Sequence, residues 1–324
     1  MNKSKKLLTG KTALVLVAIA VAAFAACEKE SPNASMPQKP VSAEHAREVF
    51  LSTFESGKFE EIDTAIQLLE RVYADNPREP QNTLLLALAH FWAAAESGRL
   101  PKPDPEMQQR HTEAQLRYFN EAYALNPNDA RILGWIGGSE VALSLSQKDP
   151  ALRLRGLEKL DQAVEKYPEF NHFIAGIVRH QLPPEDPVYA KGVEAMWKTF
   201  DLCIGGTLDR NNPDMSPFMR LYTAEGPKRA CWSIAKALHS FEGFSLIMGD
   251  MVLKSGKPDQ AKVLYQNAKL SHTYAGWNET FKKALEERLA DDLVARAARF
   301  RDQDRSNDPL VGVPTQSCMI CHQR

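Results

Sequence analysis

The sequence lacks the features that mark several common classes of protein. Its 40 Lys and Arg residues nearly balance 41 Asp and Glu residues, giving a net charge of −1 over 324 residues, so charge gives no case for a nucleic-acid partner. No run of alternating apolar and polar residues is long enough to build a sheet. No Ser-His-Asp arrangement, run of paired carboxylates or phosphate-cradling loop supports a hydrolase or a kinase. A hydrophobic content of 44% is nevertheless enough to bury a core.

The first 26 residues have the order of a secretory signal, with a basic start, an apolar run and then Cys27. The apolar run, residues 12–26, is too short to span a bilayer comfortably. The stretch "FAAC" that ends at Cys27 resembles a lipobox, with Phe24 where Leu is more usual. The resemblance implies cleavage before Cys27 and an acylated Cys27 that holds the protein on a membrane. An uncleaved anchor or a plain signal peptide is the alternative.

Cleavage would take the net charge from −1 to −5, because residues 1–26 contain four lysines and no acids. The expected location is the bacterial cell envelope, as a periplasm-facing lipoprotein of the outer rather than the inner membrane. Residues 27–45 are rich in Pro, Ser, Lys and Glu and are predicted to form a flexible tether. A helical body is predicted at 46–300, with an insertion at about 181–228, followed by a C-terminal arm at 301–324.

Three segments of the body end alike on a proline. They are "AIQLLERVYADNP" (65–77), "QLRYFNEAYALNP" (115–127) and "GLEKLDQAVEKYP" (156–168). Each has a small or short polar residue twelve positions before the proline, a bulky one eight before and Val or Ala five before. This register resembles the second helix of a tetratricopeptide repeat, in which small residues let two helices approach.

A fourth segment, "MGDMVLKSGKPDQAKVLYQNAK" (248–269), has Gly249, Gly256, Ala261, Tyr265 and Ala268 where that repeat has its Gly, Gly, Ala, aromatic and Ala. Gly137 takes a small-residue position in a first helix. The helical periodicity and this resemblance predict an all-α fold, a degenerate array of α-α hairpins with an irregular insertion and a C-terminal arm. The alternative is a bundle whose amphipathic helices imitate the repeat by chance.

The insertion at 181–228 is dense in Pro, Gly, Asn and Asp, with one helix predicted around "YAKGVEAMWKTFDLC". Cys203 ends that helix, and together with Cys231 it forms an even pair in an exported chain. We therefore predict a disulfide, with two separately buried thiols as the alternative. Near the end of the body, "ETFKKALEERLADDLVARAARF" predicts one long surface helix that caps the array. Its apolar stripe comprises Phe281, Leu285, Leu289, Leu293 and Phe300.

The stretch "SCMICHQR" (317–324) has the spacing that attaches a c-type haem. Cys318 and Cys321 can form thioether bonds to the two vinyl groups, and His322 can then ligate the iron from the proximal side. A zinc site would need further ligands nearby, and a dithiol redox motif would need a strand-to-helix setting. One covalent haem c is the predicted cofactor.

The sixth iron ligand must come from upstream or from another molecule, or be absent. The upstream candidates are His180, His239 and His272, which lie next to the insertion or the last repeat. A Met, another residue or an open site is the alternative. Three other histidines are interpreted as structural or exposed: His90 at a helix-packing position, His111 opening a helix and His45 in the tether.

Two functions of different class follow. The first is a membrane-anchored monohaem cytochrome that transfers single electrons and docks a redox partner protein on its helical body. An open sixth position would also permit peroxidase-like chemistry. The second is a binding module for a protein or a small solute, in which the haem, or a metal or redox site at the same cysteines, is auxiliary. The body resembles periplasmic tetratricopeptide lipoproteins that accompany solute transporters.

Overall fold

The structure is a computed structural model that describes residues 41–97, 102, 104–180, 182–221, 226–228, 231 and 241–301. Every regular element in these ranges is a helix. The twelve α-helices are α1 Ala43–Glu55, α2 Ile62–Asp75, α3 Pro80–Ser97, α4 Pro105–Leu125, α5 Ala130–Gln147, α6 Pro150–Lys166, α7 Pro168–Arg179, α8 Pro187–Ile204, α9 Phe241–Lys254, α10 Pro258–Ala268, α11 Glu279–Ala290 and α12 Leu293–Arg301. The three 3-10 turns are Phe59–Glu61, Ser216–Phe218 and Tyr274–Gly276. The all-α prediction is confirmed.

The helices pack as consecutive hairpins, α1 with α2, α3 with α4, α5 with α6, α7 with α8 and α9 with α10. Within the run from α1 to α8, the second helix of each hairpin also contacts the first helix of the next. All nine register positions that the three proline-ended segments share are buried. They are Ala65, Leu69, Val72, Gln115, Phe119, Ala122, Gly156, Leu160 and Ala163. The array is therefore repeat-like, and its assignment to the tetratricopeptide type stays a prediction.

Several helices begin at an Asp-Pro pair. The side chains of Asp104, Asp149 and Asp186 each accept hydrogen bonds from backbone N–H groups of the first turn of α4, α6 and α8. The proline that follows each aspartate occupies a first-turn position whose N–H would have no partner within the helix. Local sequence thus fixes where these helices start.

Glycines allow the paired helices to approach closely. A Cβ atom on Gly137 of α5 would lie 2.7 Å from the backbone oxygen of Gly156 on α6. A Cβ atom on Gly192 of α8 would lie 2.6 Å from the Cβ of Arg179 on α7. Such distances leave no room for a methyl group, so the backbones of each pair nearly touch.

The insertion covers fewer residues than the predicted range 181–228. Its predicted helix is α8, which packs against α7 as the second helix of a full hairpin. The loop that follows α8 is anchored to the body by Asn267 on α10. The side chain of Asn267 donates to the carbonyl of Pro213 at 2.7 Å and accepts from the backbone N–H of Met215 at 3.1 Å. Met215 itself is fully buried.

Two sequence predictions about helix ends are wrong. Helix α1 begins at Ala43, where Ser42 caps it, so His45 lies on α1 and not in the tether. The single long C-terminal helix is broken into α11 and α12. The carboxylate of Asp292 accepts from the backbone N–H groups of Val294 and Ala295, at 2.9 and 3.2 Å, and so starts a new helix.

A buried ionic network ties α11 to the last hairpin. Asp250 of α9 accepts from the Nε of Arg288 at 2.6 Å and from the hydroxyl of Tyr265 at 2.7 Å. Asp250 and Arg288 are almost completely buried. The burial of Tyr265 and the neighbouring Asp250 carboxylate raise the pKa of the Tyr265 hydroxyl well above its usual value. At neutral pH this hydroxyl is therefore a hydrogen-bond donor that fixes α10 to the same carboxylate.

Candidate functional site

Several of the residues predicted to carry function lie outside the described residues. They are Cys27, His239, Cys318, Cys321 and His322. Their assignments stay predictions. The structure does place the other two candidates for the sixth iron ligand, His180 and His272, together with the part of the body from which the C-terminal arm begins.

His180 lies at the C-terminal end of α7 and is 2% exposed. Its Nδ1 atom is within hydrogen-bond distance of the backbone carbonyl of Ile177. If Nδ1 carries the proton, it donates to that carbonyl, and Nε2 carries the lone pair that can ligate a metal. A bond from the non-ligating nitrogen to a backbone carbonyl is typical of metal-binding histidines. His180 therefore fits the requirements of an iron ligand in burial and in tautomer.

Lys254, the last residue of α9, holds the backbone around His180. Its ammonium group is fully buried and donates to the carbonyls of His180 at 3.1 Å and of Leu182 at 2.5 Å. The same group lies 4.8 Å from the centre of the Tyr189 ring. A cation is well placed at the C-terminal end of α7, because the last carbonyls of a helix carry a partial negative charge.

The described part of the chain ends beside the same lysine. Arg301, the last residue of α12, donates from its Nε to the backbone carbonyl of Lys254 at 3.2 Å. Its guanidinium also covers Gly256, where an added Cβ would lie 1.9 Å from a guanidinium nitrogen. Lys254 thus contacts His180 through its side chain and Arg301 through its backbone, and so brings the start of the arm near this histidine.

His272 lies at the other end of α9. It is exposed, in the loop after α10, and the neighbouring Thr273 donates to the Glu242 carboxylate at 2.5 Å. Glu242 and Lys254 are twelve residues apart on α9, which corresponds to about 18 Å along the helix. The structure therefore does not bring His180 and His272 together.

Two of the histidines that the sequence interprets as structural or exposed lie in contact. His90 is buried on α3, as its predicted packing position requires. His111 lies within α4 and does not open it. Its Nδ1 is 2.9 Å from the Nδ1 of His90 on α3. They are 21 positions apart in the sequence, and only the register of the α3/α4 hairpin reveals that they meet.

The structure joins Cys203, near the end of α8, to Cys231 by a disulfide with a Cα–Cα distance of 5.4 Å. This is the pairing that the cysteine count predicts. The bond links the last turn of α8 to Cys231.

Among the described helices, none is both long and apolar enough to cross a membrane. Within the same ranges no three His, Cys, Asp or Glu side chains are grouped to hold a metal ion. The chain matches no protein-family model, no curated protein sequence and no solved structure.

Proposed function

We propose that the mature protein is a lipid-anchored, periplasm-facing cytochrome with one covalent haem c, and that it exchanges single electrons with a partner protein that docks on the helical body. The observation that carries this proposal is the spacing of Cys318, Cys321 and His322. Two thiols three positions apart with an adjacent imidazole are the groups that haem attachment requires. The haem, when attached, supplies the one-electron chemistry.

The disulfide between Cys203 and Cys231 supports a location outside the cytosol, which this function requires. Structural disulfides persist in oxidising compartments and are rare in the cytosol. Attachment of haem c likewise belongs to exported chains, and the signal-like residues 1–26 with Cys27 would provide export and a lipid anchor.

His180 is the residue that we propose as the sixth iron ligand. Cys318 is seventeen positions after Arg301, so the chain between them can extend over at most about 60 Å. Arg301 contacts Lys254, which in turn contacts His180, so this histidine is well within reach. Two imidazole ligands would saturate the iron and restrict it to electron transfer.

Haem attachment is tested by expressing the full chain with a haem-maturation system and staining a denaturing gel for haem. We expect the wild-type band to stain and the Cys318→Ser, Cys321→Ser double variant not to stain. The His272→Ala variant, changed at an exposed histidine, is the matched control and should stain like the wild type. An unstained wild-type band would overturn the proposal.

The sixth ligand is tested separately, by the optical spectrum of the reduced protein with and without carbon monoxide. We expect no immediate change in the wild type and in His272→Ala, and immediate binding in His180→Ala. Equal behaviour of His180→Ala and the wild type would contradict the assignment of His180. Immediate binding by the wild type would instead indicate an open iron and favour peroxidase-like chemistry.

A groove favours binding of a protein or a solute as the second candidate function. It has a volume of about 520 Å³ and is lined by side chains of α3, α4, α5 and α7, including Phe91, Leu145 and Val178. Gln115 also lines it, and its Oε1 is buried without a hydrogen-bond partner among the described residues. Retention of a bound partner after deletion of residues 316–324, together with its loss in Leu145→Asp, would support this function.

A further inference from the structure

The imidazoles of His90 on α3 and His111 on α4 lie in contact, and imidazole nitrogens are atoms that can bind metal ions. The two Nδ1 atoms are 2.9 Å apart and the ring centres 5.1 Å apart. This geometry corresponds to a hydrogen bond in which one neutral ring donates Nδ1–H to the lone pair of the other. The pair takes no part in the proposed cytochrome function.

His90 is held rigidly in this position. It is 6% exposed, and its ring stacks on Tyr118 with the ring centres 5.5 Å apart. Burial, with additional effects from the nearby His111 and Arg117, lowers the pKa of His90 to about 4. His90 is therefore neutral at physiological pH, which is the form in which imidazole binds metal ions.

Glu70 of α2 lies behind His90. Its Oε1 is 3.9 Å from the Nε2 of His90, and this Nε2 is buried without a hydrogen-bond partner among the described residues. A proton on Nε2 would face the carboxylate and leave the lone pair on Nδ1, toward His111. At 3.9 Å the two atoms are too far apart for a hydrogen bond, so Glu70, whose side chain is half exposed, must approach before it accepts from Nε2. Hydrogen-bonded carboxylate–histidine pairs orient the imidazole ligands of many metal sites.

We propose that His90 and His111 bind a late first-row divalent cation through their Nδ1 atoms, Cu²⁺ in preference to Zn²⁺, with Glu70 orienting His90. Bonds of about 2.0 Å in the square-planar arrangement that Cu²⁺ prefers place two adjacent nitrogen ligands about 2.8 Å apart, against about 3.3 Å in the tetrahedral arrangement of Zn²⁺. The 2.9 Å separation of the two Nδ1 atoms therefore already suits Cu²⁺, and the rings must rotate so that both lone pairs point at the ion and not at each other. His111 moves its proton from Nδ1 to Nε2 if it is the donor.

The remaining coordination positions are assigned to water. Within the described ranges no third ligating side chain joins the pair, and His111 is only half-buried, so solvent reaches the site. With imidazole as the only protein ligand, the order of affinities follows the general series for divalent metals, in which Cu²⁺ exceeds Zn²⁺.

The test is titration of the purified full-length chain with Cu²⁺ alone and with Zn²⁺ alone, monitored by calorimetry and by electron paramagnetic resonance of Cu²⁺. We expect one Cu²⁺ per chain, with nitrogen splitting from two imidazoles. His90→Phe and His111→Phe should each weaken binding by more than about tenfold, and Glu70→Gln by about tenfold. The matched controls are His45→Phe and His272→Phe, changed at exposed histidines.

Binding that is unchanged in both His90→Phe and His111→Phe would overturn the proposal. Wild-type affinity no higher than that of the variant with both substitutions, His90→Phe and His111→Phe, would also overturn it. Circular dichroism of each variant checks folding. His111 is only half-buried, so its variant keeps the test decisive if His90→Phe does not fold. Because neither His90 nor His111 belongs to the haem-attachment motif, haem staining of all these variants should match the wild type whatever the result of the metal titration.

Discussion

Acid should destabilise the folded body through His90, and replacement of this one side chain should remove that effect. An unfolded histidine takes up a proton as the pH falls through about 6.5, whereas folded His90 stays neutral until about 4. Between these values the unfolded state binds more protons, so stability falls as the pH falls. The difference in pKa corresponds to about 3 kcal/mol, of which about 2.5 kcal/mol is lost between pH 7 and about pH 4.5.

The comparison uses His90→Phe, which keeps an aromatic ring against Tyr118 and removes the titrating group. Burial also lowers the pKa values of His111 and His172, but both residues remain in the variant, so their contributions largely cancel. For Asp201, burial alone would raise the pKa, but hydrogen bonds from Arg210 and from a backbone N–H outweigh it and hold the pKa below the usual value. The stability that the Asp201 carboxylate contributes is therefore lost mainly at pH values below the interval from pH 7 to about pH 4.5.

The assay is urea unfolding followed by circular dichroism at pH 7 and at about pH 4.5, with a chelator present so that no metal ion stabilises the His90–His111 pair. We expect the wild type to lose about 2.5 kcal/mol more than His90→Phe over this interval. If the two proteins lose the same stability to within about 0.5 kcal/mol, His90 titrates alike in both states and the reasoning from its burial fails.

Three further variants test the packing. Gly137→Ala should lower the free energy of unfolding by about 1–3 kcal/mol, measured by thermal or urea unfolding, because the new methyl group meets backbone atoms. Gly276→Ala should change it little, because no atom lies near that position. Equal effects of the two substitutions would refute the close helix contact. Asp250→Asn should cost about 3–5 kcal/mol because it removes the carboxylate charge that pairs with the buried Arg288. The exposed Glu279→Gln should cost less than about 0.5 kcal/mol. Cys203→Ser should cost about 3–4 kcal/mol under oxidising conditions and nothing extra in reductant, since the bridge closes a 28-residue separation.

The sequence predicts those helices whose packing depends on the spacing of small and bulky residues. Small and bulky residues at fixed distances from a proline place α2, α4 and α6, because those side chains face the neighbouring helix. The α7/α8 hairpin carries no such proline at its end and closes on Gly205, which adopts a positive φ. The stretch "LPPEDP" suggests only loop, although its last two residues cap and start α8.

The candidate site is less predictable, because its contacts join residues that are far apart in the chain. Lys254 looks like an ordinary repeat residue in the sequence, yet its ammonium group contacts carbonyls more than 70 positions away. The break before α12 also has no unique signal, since two consecutive aspartates can lie on a helix surface as well as cap a new helix. The haem motif itself stays a prediction from its spacing.

Helix α12 has only nine residues, and an isolated helix of that length is marginal in water. Its helical state therefore depends on its docking, in which Phe300 is fully buried and Ala297 nearly so. Undocking and loss of helix should be one cooperative event. Hydrogen exchange of the α12 amides would accordingly report the fraction of time that α12 is docked on the body.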